Sequence, residues 1–375
     1  MKVRAAVLRQ MGLPAPYAQS KPLVIETIEL DPPGPGEILV KVLAAGLCHS
    51  DLSVIDGSRP RVMPMVMGHE AAGEIVELGA GVQDLAVGDR VVFSFVPVCG
   101  HCQPCATGRP ALCEPGAKAN VAGTLLSGER RWHEQTSDLN HHLGVSAFAE
   151  YTVVSARSAV KIDRDLPPQI AALFGCAVMT GMGAVVNTAR VAPGESVAIF
   201  GLGGVGLAAL VGAKAAGAYP LVAVDVLPAK LKLAAELGAT HTVLAGPGSD
   251  VVAAVREATS GGAQYCIETV GHEAVLVQAY GATRRGGTTV TAGLPHPSKM
   301  FSISAVSLVA EERTVKGSYM GSCVPSRDIP RFVGMYRAAR LPVDRLLTHE
   351  IRLEDINEAF DRLATGAAVR QVVMF

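Results

Sequence analysis

Residues 196–218 read SVAIFGLGGVGLAALVGAKAAGA, and LVAVD follows at 221–225. The apolar pentad SVAIF suits a buried strand, the glycines a tight turn, and 205–216 a helix. Gly201, Gly203 and Gly206 form G-x-G-x-x-G between that strand and that helix, with Gly204 and Val205 inside the turn. In this context the glycines permit the turn, the approach of a pyrophosphate, and close packing of helix on sheet. The helix N-terminus adds unpaired N–H groups and the positive end of its dipole. Asp225 ends the next strand, where a carboxylate can hold ribose hydroxyls and repel a 2′-phosphate. Glycine-rich turns also arise for packing alone, so the motif counts only with strand, helix and Asp225 in register. The reading is a dinucleotide site that prefers NAD to NADP.

Moving outward, strand and helix keep alternating: a helix at 228–237, THTVL, a helix at 250–258, YCIETV and TTVTAG. Such alternation predicts a doubly wound parallel sheet, a Rossmann domain over 178–318. The first 175 residues are rich in strands and turns instead. Apolar runs at 1–8, 38–45, 71–78, 89–95 and 149–154 read as strands, and 116–142 as a long polar surface loop. After 318 the pattern loosens into helix, then strand. The class is α/β, with a mostly antiparallel β-rich domain beside the Rossmann domain.

A chain of 375 residues suits two domains, and 49% hydrophobic residues can fill a core in each. The 33 basic and 34 acidic residues give a net charge of −1, no electrostatic case for nucleic acid or an anionic membrane. The chain opens without a charged segment followed by an apolar one. The nearest approach to a membrane span, 197–218, is full of glycine and carries Lys214. A cytoplasmic protein is expected, without a membrane or nucleic-acid partner.

Cys99, Cys102, Cys105 and Cys113 are spaced C-x2-C-x2-C-x7-C. Four thiolates can close a tetrahedral structural zinc site with no place for substrate. An iron–sulfur cluster competes, but the ferredoxin pattern has a shorter last spacing and a following proline, where this chain has Glu114. Four unliganded thiols are the third reading. His101 is not needed as a ligand and reads as a surface residue.

Three further segments carry ligand types: Cys48-His49-Ser50-Asp51, Gly68-His69-Glu70 and Gly175-Cys176. Cysteine, histidine and cysteine with one open position is a catalytic zinc arrangement. Asp51 and Glu70 suit carboxylates that orient such ligands from behind. Singly these residues prove little, and spacing alone does not join positions more than a hundred residues apart. Met63, Met65 and Met67 alternate like a thioether box but read better as a half-buried strand. Cys266 and Cys323 read as packing residues.

Taken together, these features resemble the zinc-containing medium-chain alcohol dehydrogenases. The resemblance runs nearly end to end, through GHEAAGEIVELGAGVQDLAVGDRVV, the four-cysteine lobe, HHLGVSAFAEYTVV, GLGGVGLAALVGAKAAGA and the closing VRQVVMF. Length and the long segment before His141 resemble the animal-type and glutathione-dependent formaldehyde dehydrogenase branches. The resemblance implies a catalytic domain of 1–177 and 319–375, folded as a distorted antiparallel barrel with its structural-zinc lobe at 96–115. It places the active site in the cleft beside the Rossmann domain. It implies two zinc ions per chain and NAD, with Cys48, His69 and Cys176 as catalytic ligands. Ser50 would bind the alcohol and begin proton removal. His49 and Arg370 would meet the pyrophosphate, Lys230 the adenosine ribose, and Thr180 and Val205 the nicotinamide. Phe95 and Leu294 would wall the substrate pocket. The assembly it implies is a homodimer, with a tetramer second.

Two departures stand out. Ser53 occupies the place of a family histidine that passes the proton to solvent. Arg59 and His142 fall at pocket positions that are apolar in simple alcohol dehydrogenases, and Arg59 either binds an anionic substrate or faces solvent. The leading function is hydride transfer between a primary or secondary alcohol and NAD. S-(hydroxymethyl)glutathione oxidation is the alternative. A zinc-free quinone reductase and a non-catalytic scaffold are the readings from other classes, and the intact Cys48, His69, Cys176 and Ser50 set argues against both.

Overall fold

In the strand Lys2–Leu8 successive side chains feed two different cores. Ala6 and Leu8 enter one hydrophobic cluster, Val3, Ala5 and Val7 another. A strand alternates faces residue by residue, so one buried on both sides reads as a continuous apolar run. The computed structural model describes residues 1–134 and 137–375, and they divide into two compact units. One comprises Met1–Cys176, Val324–Val333 and Val343–Phe375, the other Ala177–Cys323 and Gly334–Pro342.

The first unit holds a closed barrel and a seven-stranded sheet. Around the barrel run Lys2–Leu8, Leu23–Leu30, Trp132–His133, Asp138–His141 and Met65–Val66. Neighbours are antiparallel except Met65–Val66 and Asp138–His141, which are parallel. The segment 116–142, expected as an irregular surface loop, therefore supplies two barrel strands, and helix Glu114–Ala122 precedes them. Its strands are too short to show a period, yet Leu125, Trp132 and Leu139 are buried in the second cluster. Burying a side chain the size of Trp132 contributes about 1.5–3 kcal/mol or more, and with Leu125 and Leu139 beside it this pins the polar-looking segment to the barrel core. The methionine run also differs from a half-buried strand: Met65 and Met67 enter one core, Val66 the other.

The seven-stranded sheet runs Ala159–Ile162, Arg90–Phe93, Glu70–Leu78, Glu37–Gly46, Arg370–Met374 and Leu347–Ile351, with Tyr151–Ser155 also on Glu37–Gly46. The C-terminal part supplies two strands and the helices Pro325–Arg337 and Ile356–Ala364, more than the expected helix and strand.

The second unit carries six parallel strands ordered His241–Leu244, Leu221–Asp225, Val197–Phe200, Ala263–Glu268, Thr283–Thr291 and Thr314–Gly317. Numbered along the chain, the order is 3-2-1-4-5-6, the doubly wound Rossmann arrangement. Its switch point lies beside Val197–Phe200, whose end leads into Gly201.

Among the described residues one helix, Pro168–Ala189, is long and apolar enough to cross a membrane by length and composition, and 89% of its apolar window is buried within the protein. It is a core helix. The segment 197–218 is instead a strand, a turn and the 12-residue helix Gly204–Ala215, too short to span.

Candidate active site

Three segments of the first unit converge. Strand Glu37–Gly46 leads to Cys48, which caps helix His49–Ile55. His69 follows strand Met65–Val66, and Glu70 opens the next strand. Cys176 sits in a widened π-type turn, Phe174–Val178, of the long helix, a local irregularity that recurs at functional sites. Glycines admit this crowding. A Cβ at Gly68, whose φ is +95°, would lie 2.5 Å from Phe148 N; one at Gly175 would lie 2.4 Å from Phe93 O; one at Gly46 would lie 2.8 Å from Glu70 Oε1.

Cys48, His69, Glu70 and Cys176 are all buried, and they bring one ligand atom each to within 4.8 Å of one another. Cys48 Sγ and Cys176 Sγ are 3.9 Å apart. A tetrahedral zinc with bonds of about 2.3 Å needs sulfur atoms about 3.8 Å apart. His69 Nδ1 bonds Asp51 Oδ1 at 2.8 Å, while its Nε2 is buried without a hydrogen-bond partner. An orphaned imidazole nitrogen beside two thiols fits a metal ion, because a buried unpaired polar atom is otherwise costly. Glu70, expected behind the ligands, stands among the candidate ligand atoms, and neither oxygen has a hydrogen-bond partner.

The hydrogen bond shared with Cys176 holds Cys48 well below an ordinary thiol, helped by Arg370 and His69. The same contact, with burial, pushes Cys176 well above. Burial lowers His69, but Asp51 and Cys48 outweigh it and hold it well above the usual histidine value. Burial lifts Glu70 to about 7 despite Arg370. Arg370 is buried, with Nη1 donating to Leu47 O at 2.9 Å and lying 3.6 Å from Glu70 Oε2. It stands as a cation behind the ligand cluster.

His49 is exposed, while Ser50 and Arg59 are half-buried. Ser53 donates its hydroxyl to Ser50 O at 3.0 Å, within the first turn of the helix. Phe95 packs edge-on against His69, ring centres 5.6 Å apart, and Asn120 Nδ2 donates to its carbonyl at 2.8 Å. His142 is buried and also meets His69 edge to face, ring centres 5.5 Å apart.

The four cysteines of the lobe also meet. Cys99 and Cys105 Sγ are 4.0 Å apart, as are Cys102 and Cys113 Sγ. Both distances suit the edges of a zinc tetrahedron. The amides of Cys102, Cys99 and Gly116 point at the sulfurs of Cys99 and Cys113 at 3.3–3.4 Å. Burial raises the Cys99 thiol, but the backbone N–H groups of His101 and Cys102, with the Cys102 and Cys113 side chains, prevail and bring it down to about 6. The lobe has no free corner, and His101 is exposed outside it. Cys266 and Cys323 are buried away from both clusters.

In the second unit, Gly201 has φ +88° and a Cβ there would strike Val270. A Cβ at Gly206 would lie 1.8 Å from Gly201 O, so the turn itself demands that glycine. Nothing lies within 4 Å of a Cβ at Gly203. The protein does not require glycine there, whereas a pyrophosphate laid against the backbone does. Asp225 accepts from Leu202 N at 2.6 Å and Leu227 N at 2.9 Å. Val205 and Lys230 are half-buried, Thr180 is buried and Leu294 is exposed. Glu268, read only as strand in the sequence, accepts from Val270 N, Gly271 N and Thr291 Oγ1 at 2.6–2.7 Å and fixes the loop facing Gly201.

Two family models match: an alcohol dehydrogenase GroES-like domain over residues 34–164 and a zinc-binding dehydrogenase over 204–353. A Mycobacterium tuberculosis protein provisionally named alcohol dehydrogenase D is 41% identical, covering 100% of both chains. An NDMA-dependent alcohol dehydrogenase of Amycolatopsis methanolica is 40% identical over 100% of this chain and 99% of its own. The crystal structure of a benzyl alcohol dehydrogenase from Acinetobacter calcoaceticus superposes with a TM-score of 0.93 at 32% identity, covering 100% of this chain and 99% of that one. The names of these relatives are of alcohol dehydrogenases, whereas length had suggested the animal-type and formaldehyde dehydrogenase branches.

Proposed function

The chain belongs to the medium-chain zinc-containing alcohol dehydrogenases, a family of oxidoreductases, and from that premise we propose that it oxidises a primary or secondary alcohol with NAD at a zinc held by Cys48, His69 and Cys176. The observation that carries the ligand assignment is His69 Nε2, buried without a partner beside two thiols 3.9 Å apart. A zinc held there would supply the Lewis acidity that lowers the pKa of an alcohol hydroxyl, and a bound nicotinamide would supply the hydride acceptor.

In this reading the chain's own groups orient and exclude. Asp51 holds His69 through Nδ1 and leaves Nε2 for the metal. Glu70, with Arg370 behind it, offers a further carboxylate at the same point. Ser50 both accepts and donates a hydrogen bond, so it suits the first step of proton removal. Phe95 gives an aromatic wall beside His69. The lobe of Cys99, Cys102, Cys105 and Cys113 takes a second, structural zinc. Gly201, Gly203 and Gly206 cradle the pyrophosphate, and Asp225 selects NAD over its phosphorylated form.

Neutral alcohols are the proposed substrates, and the named benzyl alcohol dehydrogenase makes benzyl alcohol the first to test. Purified protein given NAD or NADP with ethanol, benzyl alcohol or S-(hydroxymethyl)glutathione is followed by NADH absorbance. Turnover of a neutral alcohol with NAD supports the reading. Turnover confined to the glutathione adduct supports the alternative, with half-buried Arg59 as the anion's partner. A parallel run with NDMA asks whether the Amycolatopsis relative's dependence extends to this chain. The same family reading carries a cytoplasmic homodimer, which sedimentation of the purified protein checks for assembly.

A further inference from the structure

Strands Met65–Val66 and Asp138–His141 lie parallel, with Met65 opposite Asn140 and Val66 opposite His141. Each runs on into a histidine, His69 from the first and His142 from the second. Asn140 Nδ2 donates to Pro64 O at 2.8 Å and fixes this register. Ser146 Oγ accepts from His142 N at 2.9 Å and donates to Val66 O at 2.8 Å, tying the two strand ends together. The two imidazoles therefore arrive side by side, edge to face, with ring centres 5.5 Å apart.

Both address one carboxylate. Asp51 Oδ1 lies 2.8 Å from His69 Nδ1, a hydrogen bond, and 3.2 Å from His142 Nδ1, a close approach that stops short of hydrogen-bond geometry and leaves that buried nitrogen with no other partner. Asp51 Oδ2 accepts from Cys48 N at 3.0 Å. All three side chains are buried. A carboxylate offers about four lone-pair sites, so it can take both ring N–H groups and the amide. Behind a metal-ligating histidine such a carboxylate fixes the ring's tautomer and orientation, and its own partners fix the carboxylate.

We propose that His142 is a positioning residue of the zinc site: its Nδ1 holds Asp51, and Asp51 holds His69. This rests on the reading of Cys48, His69 and Cys176 as zinc ligands. It gives the barrel strands of 132–141 a task beyond packing, since they deliver the second imidazole. It also departs from the pocket-wall role that the family resemblance implies for His142.

The test uses the zinc-loaded enzyme and reads metal, not only turnover. Zinc release to a chromogenic chelator is timed for wild type, His142→Phe, His142→Asn and His142→Gln. Asparagine places an amide N–H where Nδ1 stood, and glutamine reaches the Nε2 position instead. Phenylalanine keeps the ring volume and loses both nitrogens. His142→Phe and His142→Gln should release the catalytic zinc roughly 10–100-fold faster, and His142→Asn should stay within about threefold of wild type. The visible spectrum of the cobalt-substituted enzyme should shift in the same two variants. In the Asp51→Asn background, His142→Phe should add less than about twofold. The cysteine-lobe zinc, released at one rate throughout, serves as the control for folding. If His142→Phe loses both metals together, asparagine against glutamine decides alone. Wild-type release from His142→Phe would overturn the proposal in favour of packing. Asparagine behaving like phenylalanine, with KM for alcohol raised, would overturn it in favour of a pocket role. A wild-type enzyme holding zinc only in the cysteine lobe would overturn the ligand reading beneath it.

Discussion

Gly175→Ala separates the metal site from the fold. An added Cβ would lie 2.4 Å from Phe93 O and 3.2 Å from Val92 Cγ1, where ordinary contact begins near 3.4 Å. The shortfall to the carbonyl is 3.4 − 2.4 = 1.0 Å. Phe93 is held in its sheet opposite Ala159, so the helical segment has to move. Cys176 is the next residue. Its sulfur lies 3.9 Å from Cys48 Sγ, against about 3.8 Å for a zinc tetrahedron. Moving one ligand by about 1 Å, when its bond is only about 2.3 Å long, opens the set. Overpacking of this kind costs about 1–3 kcal/mol, which a two-domain protein usually survives. The variant should fold with a lowered thermal midpoint, retain one zinc per chain, in the lobe, and lose alcohol oxidation. Zinc analysis, thermal denaturation and NADH absorbance together read the outcome. A Gly175→Ala protein with two zinc ions and full activity would refute the reasoning.

Asp225→Ser should weaken NAD and relieve repulsion of the NADP phosphate, and the ratio of kcat/KM for the two coenzymes measures it; a wild type that prefers NADP would end that reading. Ser50→Ala should lower turnover by roughly a hundredfold or more, whereas Ser53, whose hydroxyl is spent on Ser50 O, acts as no base. Ser53→His should raise alcohol oxidation near neutral pH with coenzyme affinity little changed; if it has no effect and His49→Gln abolishes the neutral-pH rate, His49 is the base. His133 lies between Asp138 and Asp31, each at 2.7 Å; burial lowers its pKa, but the two carboxylates prevail and hold it above the usual value. A raised folded-state pKa gives stability that is complete below the unfolded pKa of about 6.5 and lost as pH rises through the folded value. The thermal midpoint of wild type should therefore exceed that of His133→Gln at about pH 5.5 and converge on it toward pH 8.5; a constant gap would contradict this.

The Rossmann strands were readable because SVAIF and LVAVD end in residues with tasks of their own, a glycine turn and Asp225. The barrel was legible only in part: Lys2–Leu8 reads as a strand, but three of the five barrel strands have two to four residues, too short to carry a period, and those at 132–141 hide inside a polar segment. The cysteine lobe was legible since its ligands lie within 15 positions, while the open site joins residues 128 apart that only the fold brings together. One local signal was available: a glycine directly before His69 and another directly before Cys176, each where a side chain would collide. Burial of Arg370 against Glu70, and the pairing of His142 with Asp51, depend on strand register across the chain and left no trace in local pattern.

Zinc content measured against activity bears most directly on the two-site scheme. Wild-type enzyme should hold two zinc ions per chain and form NADH from alcohol. Cys176→Ala should fold, hold one, and form none. Cys105→Ala should fold poorly, because a closed structural site contributes folding free energy. A fully active wild type with a single zinc per chain, or an active Cys176→Ala protein, would contradict it.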